Sequence, residues 1–163
     1  MSYNLRMQRY LMTRKTKERL EKDIAQLEKD VTRLRKEIGV AYRLAPGDGW
    51  HDNAALEAVD ESLQIAEIRL RELKLRVRLA QIVEARKVVR DVGIGNEVRV
   101  EYVDEGREQV WTILGEEDSG TSEDWISHTS PVAQMLLGKK VGQVVDLGWV
   151  KVRIVAIAPG NFD

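Results

Sequence analysis

The chain has 163 residues, 33% of them charged and 43% hydrophobic, no cysteine, and a formal net charge of −1 at pH 7. Without cysteine there is no disulfide framework and no thiolate nucleophile or thiolate metal site. No apolar run approaches the roughly 20 residues of a membrane helix, and Met1 to Leu11, with two arginines and no continuous apolar core, fails as a signal peptide, so the expectation is a soluble cytoplasmic protein with no membrane partner.

The first eleven residues read as an N-terminal extension. From Thr13 the sequence is helical by period. Leu20, Ile24, Leu27, Val31, Leu34, Ile38 and Ala41 are spaced alternately by four and three, an a/d seam held over three heptads. The Thr13 hydroxyl can accept a free N–H of the first turn and so cap this helix. A second seam runs through Leu56, Val59, Leu63, Ala66, Leu70, Leu73, Val77 and Ala80. Between the two lies Arg43 to Asp52, with the turn chemistry of Pro46-Gly47-Asp48-Gly49 at its centre. Asp52 or Asn53 can cap the second helix. Two seams of similar length around one turn fit an antiparallel hairpin. A bundle core or an intermolecular coil would carry the same seams. Each arm, of roughly 30 residues at 1.5 Å rise, would be about 45 Å long.

After Asp91 to Gly95 the period changes to two. Glu97 to Val103, Gln109 to Leu114, Gln143 to Leu147 and Val150 to Val155 are strand candidates. Gly93-Ile94-Gly95-Asn96 lacks the spacing of a phosphate loop and reads as a turn before the first of them. Ser130 to Gly138 opens on a Ser cap and a Pro at the first helical position and closes on Gly, so it reads as one short helix. The organisation is an extension over 1–11, a coiled-coil hairpin over 12–90 and a small antiparallel β domain with one helix over 91–163, an α+β fold. Charge follows the same division. Residues 13–90 carry 18 Lys/Arg against 14 Asp/Glu, and residues 91–163 carry 6 against 13. A mildly basic arm on an acidic body lacks the concentrated basic face of a duplex binder.

These residues resemble the GreA/GreB family over about residues 12–158. The densest match is Ser130-Pro131-Val132-Ala133-Gln134-Met135-Leu136-Leu137-Gly138-Lys139-Lys140-Val141-Gly142, similar to the family's Ser-Pro-hydrophobic-small stretch and its following Gly-Lys-x-x-Gly. Ile113-Leu114-Gly115-Glu116-Glu117 resembles the strand that ends in Gly-x-x-Glu, and Met12-Thr13-Arg14-Lys15 the start of the first helix. The family's tip motif, Gly-Asp-x-x-Glu-Asn-Ala, is represented by Gly47-Asp48-Gly49-Trp50-His51-Asp52-Asn53-Ala54. One extra residue separates the two acids, Asp stands for Glu, and Trp50-His51 replaces a small polar residue.

The resemblance implies an FKBP-like second domain and an accessory factor, not an enzyme by itself. Its partner would be RNA polymerase. The hairpin would enter the secondary channel of the polymerase and stimulate cleavage of the backtracked RNA 3′ end. Asp48 would share a Mg²⁺ with the polymerase, with no metal in the free protein, and Asp52 would orient the attacking water. The residue types agree: Mg²⁺ takes oxygen ligands, often only one or two carboxylates beside substrate phosphate, and paired metal ions stabilise both oxygens of a phosphoryl displacement. Lys36 and Arg43 would contact the extruded transcript. Trp50 and His51 could stack on its unpaired bases, or Trp50 could close the end of the hairpin. Ser130 and Pro131 would dock on the channel rim of the largest subunit, and a monomer is expected.

Blander roles fit the same residues: Asp48 as turn former, Asp52 and Ser130 as caps, Lys36 as a solvated charge. Three other functions compete. One is a channel-entering regulator that inhibits without cleavage, another a coiled-coil adaptor outside transcription. The last is a prolyl isomerase, which needs an aromatic-lined pocket, and Tyr102, Trp111, Trp125 and Trp149 are scattered in the sequence. A zinc site from Asp48, His51 and Asp52 would be one ligand short of a closed tetrahedron.

Overall fold

The computed structural model describes residues 9–44, 54–87 and 89–162 of the chain. They form two compact units. Residues 18–79 make one, and the remainder, on either side of it in sequence, makes the other.

The first unit is built from α1 (Arg14–Leu44) and α2 (Ala54–Arg78). From Leu20 to Val77 the described residues of both predicted seams are buried or half-buried, with exposed charged residues between them, while Ala80, predicted as the last seam position, lies in a strand after the helix. Leu20, Val31, Ile38 and Leu56 are the most enclosed. Two ion pairs fix the register. Glu28 meets Lys74 at 2.6 Å and Arg35 meets Glu67 at 2.7 Å. A step of seven residues up α1 is a step of seven down α2, so the helices are antiparallel and the seam is intramolecular. These pairs are solvent-exposed, and each contributes about 0.2–1 kcal/mol at most. Burial of the leucines and valines of the seam stabilises the hairpin more, by about 1.5–3 kcal/mol for each side chain fully removed from water.

The second unit contains two sheets. In the smaller, β1 (Tyr10–Met12) pairs in parallel with β2 (Ala80–Ile82). These strands immediately precede α1 and follow α2, and the Val83 amide extends the ladder by donating to the Met12 carbonyl at 2.9 Å. The larger sheet has the order β5-β4-β3-β7-β6, from β3 (Asn96–Tyr102), β4 (Glu108–Leu114), β5 (Trp125–Ser127), β6 (Val144–Asp146) and β7 (Lys151–Pro159). It is antiparallel except at one edge, where β5 lies parallel to β4. The partner of Arg99 is Ala156 and that of Val100 is Ile154, so Val155 is an extra residue, a bulge that bends the strand.

Alternation sends Val98, Val100, Ile113, Val152 and Ile154 to one face, where they are fully buried under Ala133 and Leu136 of α3 (Pro131–Leu136). Asn96 is buried with them. Its amide is satisfied by the Gly93 N–H at 2.8 Å and the Ala158 carbonyl at 3.2 Å, which makes the predicted Gly93–Asn96 turn. Gly95 within it has φ +85°, and a Cβ there would press on the Glu84 carbonyl at 2.5 Å, so the turn requires glycine.

Candidate functional site

The sequence-predicted site residues fall in two places: the segment between α1 and α2 with the adjoining helix ends, and the turn that opens α3. At the hairpin, α1 runs to Leu44 and α2 begins at Ala54. Asp48, Trp50, His51 and Asp52 lie between them, outside the described residues. Nearest to them among the buried seam residues are Ile38 on α1 and Leu56 on α2. Lys36 and Arg43 are exposed and seven residues apart, hence on one face of α1. The Arg43 Nε donates to the Gly39 carbonyl at 3.0 Å, so its guanidinium folds back over the last turn, where a cation also complements the helix dipole. Tyr42, an aromatic 51% exposed beside Arg43, was not anticipated. Its signal was its place in the heptad, one residue past the seam position Ala41.

The predicted cap at Thr13 is present, while Asp52 and Asn53, the candidates for the second helix, lie outside the described residues. The Thr13 hydroxyl accepts from the Thr16 amide at 3.2 Å, and the Thr13 carbonyl from the Lys17 amide at 3.0 Å. What the sequence did not reveal is that Thr13 is itself held. Asp118, in the turn after β4, is fully buried. Its carboxylate accepts the Thr13 amide at 3.0 and 3.1 Å, the Thr13 hydroxyl at 2.8 Å and the Gly115 amide at 3.1 Å. The charge is met by oriented donors at a helix N-terminus, which compensates its removal from water. A Cβ on Gly115 would run into the Leu11 carbonyl, so β1 approaches this turn at a distance only glycine permits. Asp118 is the fourth residue of the Gly-x-x-acid motif, the legible signal for it.

At the second place, the Ser130 hydroxyl accepts from the Ala133 amide at 3.2 Å, and Pro131 follows at the first helical position. The preceding turn is cross-braced. Ser127 Oγ and Thr129 Oγ1 lie 2.7 Å apart, and Gln134 Nε2 donates to the His128 carbonyl at 2.6 Å. Pro131 is exposed on this cross-braced turn.

The aromatic residues do not converge. Tyr102 and Trp149 pair at 6.4 Å between ring centroids, while Trp111 and Trp125 pack on two different clusters. Arg107 lies over the Tyr102 ring at 3.9 Å, and its hydrogen bond to Glu105 raises its pKa above the ordinary value. Among the described residues no three His, Asp or Glu side chains stand together as a metal site, and no helix is long and apolar enough to cross a membrane.

The fold defines a protein class: a two-helix coiled-coil hairpin and a small sheet unit in one chain. The family described as "Transcription elongation factor, GreA/GreB, C-term" matches residues 87–159. A "Transcription elongation factor GreA" of Streptococcus gordonii is 32% identical over 137 residues, 83% of this chain and 84% of its own length. One of Geobacillus kaustophilus is 33% identical over 154 residues, 91% and 96%. The chain belongs to the GreA/GreB family of transcription elongation factors. Among solved structures, the "GreA factor homolog 1 (Gfh1) protein of Thermus thermophilus" covers 92% of this chain and 99% of its own, with 22% identity and a TM-score of 0.43.

Proposed function

We propose that this elongation factor binds bacterial RNA polymerase in the cytoplasm, inserts its hairpin as a single copy into the secondary channel, and stimulates cleavage of the backtracked RNA 3′ end. The observation that carries this reading is the in-register antiparallel hairpin: Glu28–Lys74 and Arg35–Glu67 align two long arms so that residues 45–53, with Asp48 and Asp52, connect their ends. Family membership supports the partner.

Asp48 supplies a hard oxygen donor suited to Mg²⁺, and a lone carboxylate holds that ion only where another protein completes the shell. When bound, the ion would stabilise charge on the phosphate oxygens. Asp52 accepts a hydrogen bond from the attacking water and orients it. Lys36 and Arg43, on one face below the end, meet the phosphates of the extruded RNA, and Trp50 and His51 stack on its bases. Ser130 and Pro131 dock on the rim of the largest subunit. The chain is then an activator of the polymerase's own endonuclease and not an enzyme by itself.

A second reading rests on the tip sequence: with one more residue between the acids and Asp for Glu, the factor would occupy the channel and inhibit without cleavage. Stalled polymerase complexes with labelled RNA decide between them. Cleavage that depends on the factor and drops by about a hundredfold or more with Asp48→Ala is the expected result. Intact RNA, together with competition against an active cleavage factor, establishes the inhibitor instead.

A further inference from the structure

Gly39 stands inside α1, well before its last residue Leu44. Glycine within a helix is destabilising relative to alanine, and packing gives no reason for it here. Nothing comes within 4 Å of where a Cβ would stand, and its φ is not positive, so a side chain would fit without strain. The open position is a notch in the helix surface, and its rim is chemically specific. Arg35 and Lys36 lie one turn before it and Tyr42 and Arg43 one turn after it, each about 5–6 Å away between Cβ positions. At 3.6 residues per turn, Lys36 and Arg43 fall on one side of Gly39, and Arg35 and Tyr42 on the other.

Charge on the rim indicates the occupant. Arg35 is engaged by Glu67, but Lys36 and Arg43 have no ion-pair partner among the described residues. The Arg43 Nε bonds the Gly39 carbonyl at 3.0 Å, which holds the guanidinium at the rim. Glu37, the nearest acid on α1, lies on the far side of the helix and pairs with Arg33 at 3.3 Å. The register that sets Glu28 against Lys74 and Arg35 against Glu67 sets Tyr42 against Asp60, which accepts from Gln64 Nε2 at 2.8 Å. That acid is on the α2 side of the ring, away from Lys36 and Arg43. An exposed ring, a gap floored by backbone and two uncompensated cations across it match an unpaired nucleotide, with the base on the aromatic and the phosphate on the cations. We propose that the Gly39 notch seats one nucleotide of the extruded RNA, its base stacked on Tyr42 and its phosphate held by Lys36 and Arg43. The seat rests on the channel-entering reading above and holds whether the factor cleaves or inhibits. Stacking accepts every base, so the seat has no sequence preference. Gly39 then trades helix stability for close approach of the RNA.

The test compares the affinity of the factor for backtracked polymerase complexes with its affinity for RNA-free core polymerase, alongside urea unfolding of each free variant. Wild type is expected to prefer the backtracked complex. Gly39→Leu should be more stable than wild type, because leucine is the better helix former, yet its preference should fall about tenfold or more. Tyr42→Ala should lose about tenfold, and Tyr42→Phe, which keeps the ring, should recover it. A photoreactive thiouridine in the extruded RNA should crosslink at Tyr42 in wild type and not in Gly39→Leu. Wild-type preference in both Gly39→Leu and Tyr42→Ala overturns the seat alone. A parallel fall in RNA-free binding overturns it too, and turns the notch towards the polymerase. A wild type without any preference for the backtracked complex overturns the seat and the channel-entering reading together.

Discussion

The Thr13 hydroxyl donates to the carboxylate of Asp118 at 2.8 Å while it accepts from the Thr16 amide at 3.2 Å. One oxygen thus caps α1 and ties that cap to a turn 105 residues later. Asp118→Ala would leave buried donors on Thr13 and Gly115 unpaired, at a cost of about 2–4 kcal/mol. Asp118→Asn, which keeps one acceptor oxygen, should lose roughly half of that. Urea unfolding of the three proteins measures both. An Asp118→Ala protein as stable as wild type would mean that the carboxylate is not a stabilising contact.

Gly115 makes a different kind of contact, between backbones. Gly115→Ala forces its methyl against the Leu11 carbonyl, and β1 must move. Amide hydrogen exchange should accelerate at Val83, whose N–H bonds to Met12, while Ile113 and Ile154 in the main sheet keep their protection. Unchanged exchange at Val83 would count against the close approach.

Within the hairpin the seam should outweigh the ion pairs. Val31→Ala, at a buried seam position, should cost about 2–3 kcal/mol. A double-mutant cycle on Arg35 and Glu67, with side chains 64% and 34% exposed, should return a coupling of about 0.2–1 kcal/mol that shrinks with salt. Coupling larger than the Val31 effect would reverse that ranking.

Ser130 lets capping be separated from docking. Ser130→Ala removes the acceptor for the Ala133 amide and should destabilise the chain by about 1 kcal/mol. Ser130→Asp retains a capping oxygen and should recover that stability. If the turn also docks on polymerase, both variants bind polymerase less tightly than wild type. Equal binding by Ser130→Asp and wild type would reduce Ser130 to a cap.

The hairpin was legible because a 3.5-residue period repeated over many turns leaves little choice of partner face. The four strand candidates, five to seven residues long in the sequence, and α3 were legible from alternation and from the Ser-Pro start, although β6 keeps only three residues of its candidate. Three short strands were not. Tyr10–Met12, Ala80–Ile82 and Trp125–Ser127 have three residues each, with no longer alternating run around them, and Thr13, the residue after β1, is held by an aspartate that local pattern cannot connect to it. Gly115-Glu116-Glu117 was recognised as a motif, yet the residue that matters next to it, Asp118, acts through burial and not through any local propensity. The acids of the tip were legible as residue types, and their geometry falls on the residues 45–53 that are not described.

The parallel pairing of β1 with β2 has a consequence for the order in which the protein is made. The strand that leaves the ribosome first cannot be placed until the segment after the hairpin has emerged, and Thr13 must wait for Asp118. At roughly 5–20 residues per second, a delay of 105 residues is on the order of ten seconds. The hairpin, whose Glu28–Lys74 and Arg35–Glu67 pairs lie within one compact unit of residues 18–79, can form in that interval. β1 then joins a structure largely completed by the residues that follow it.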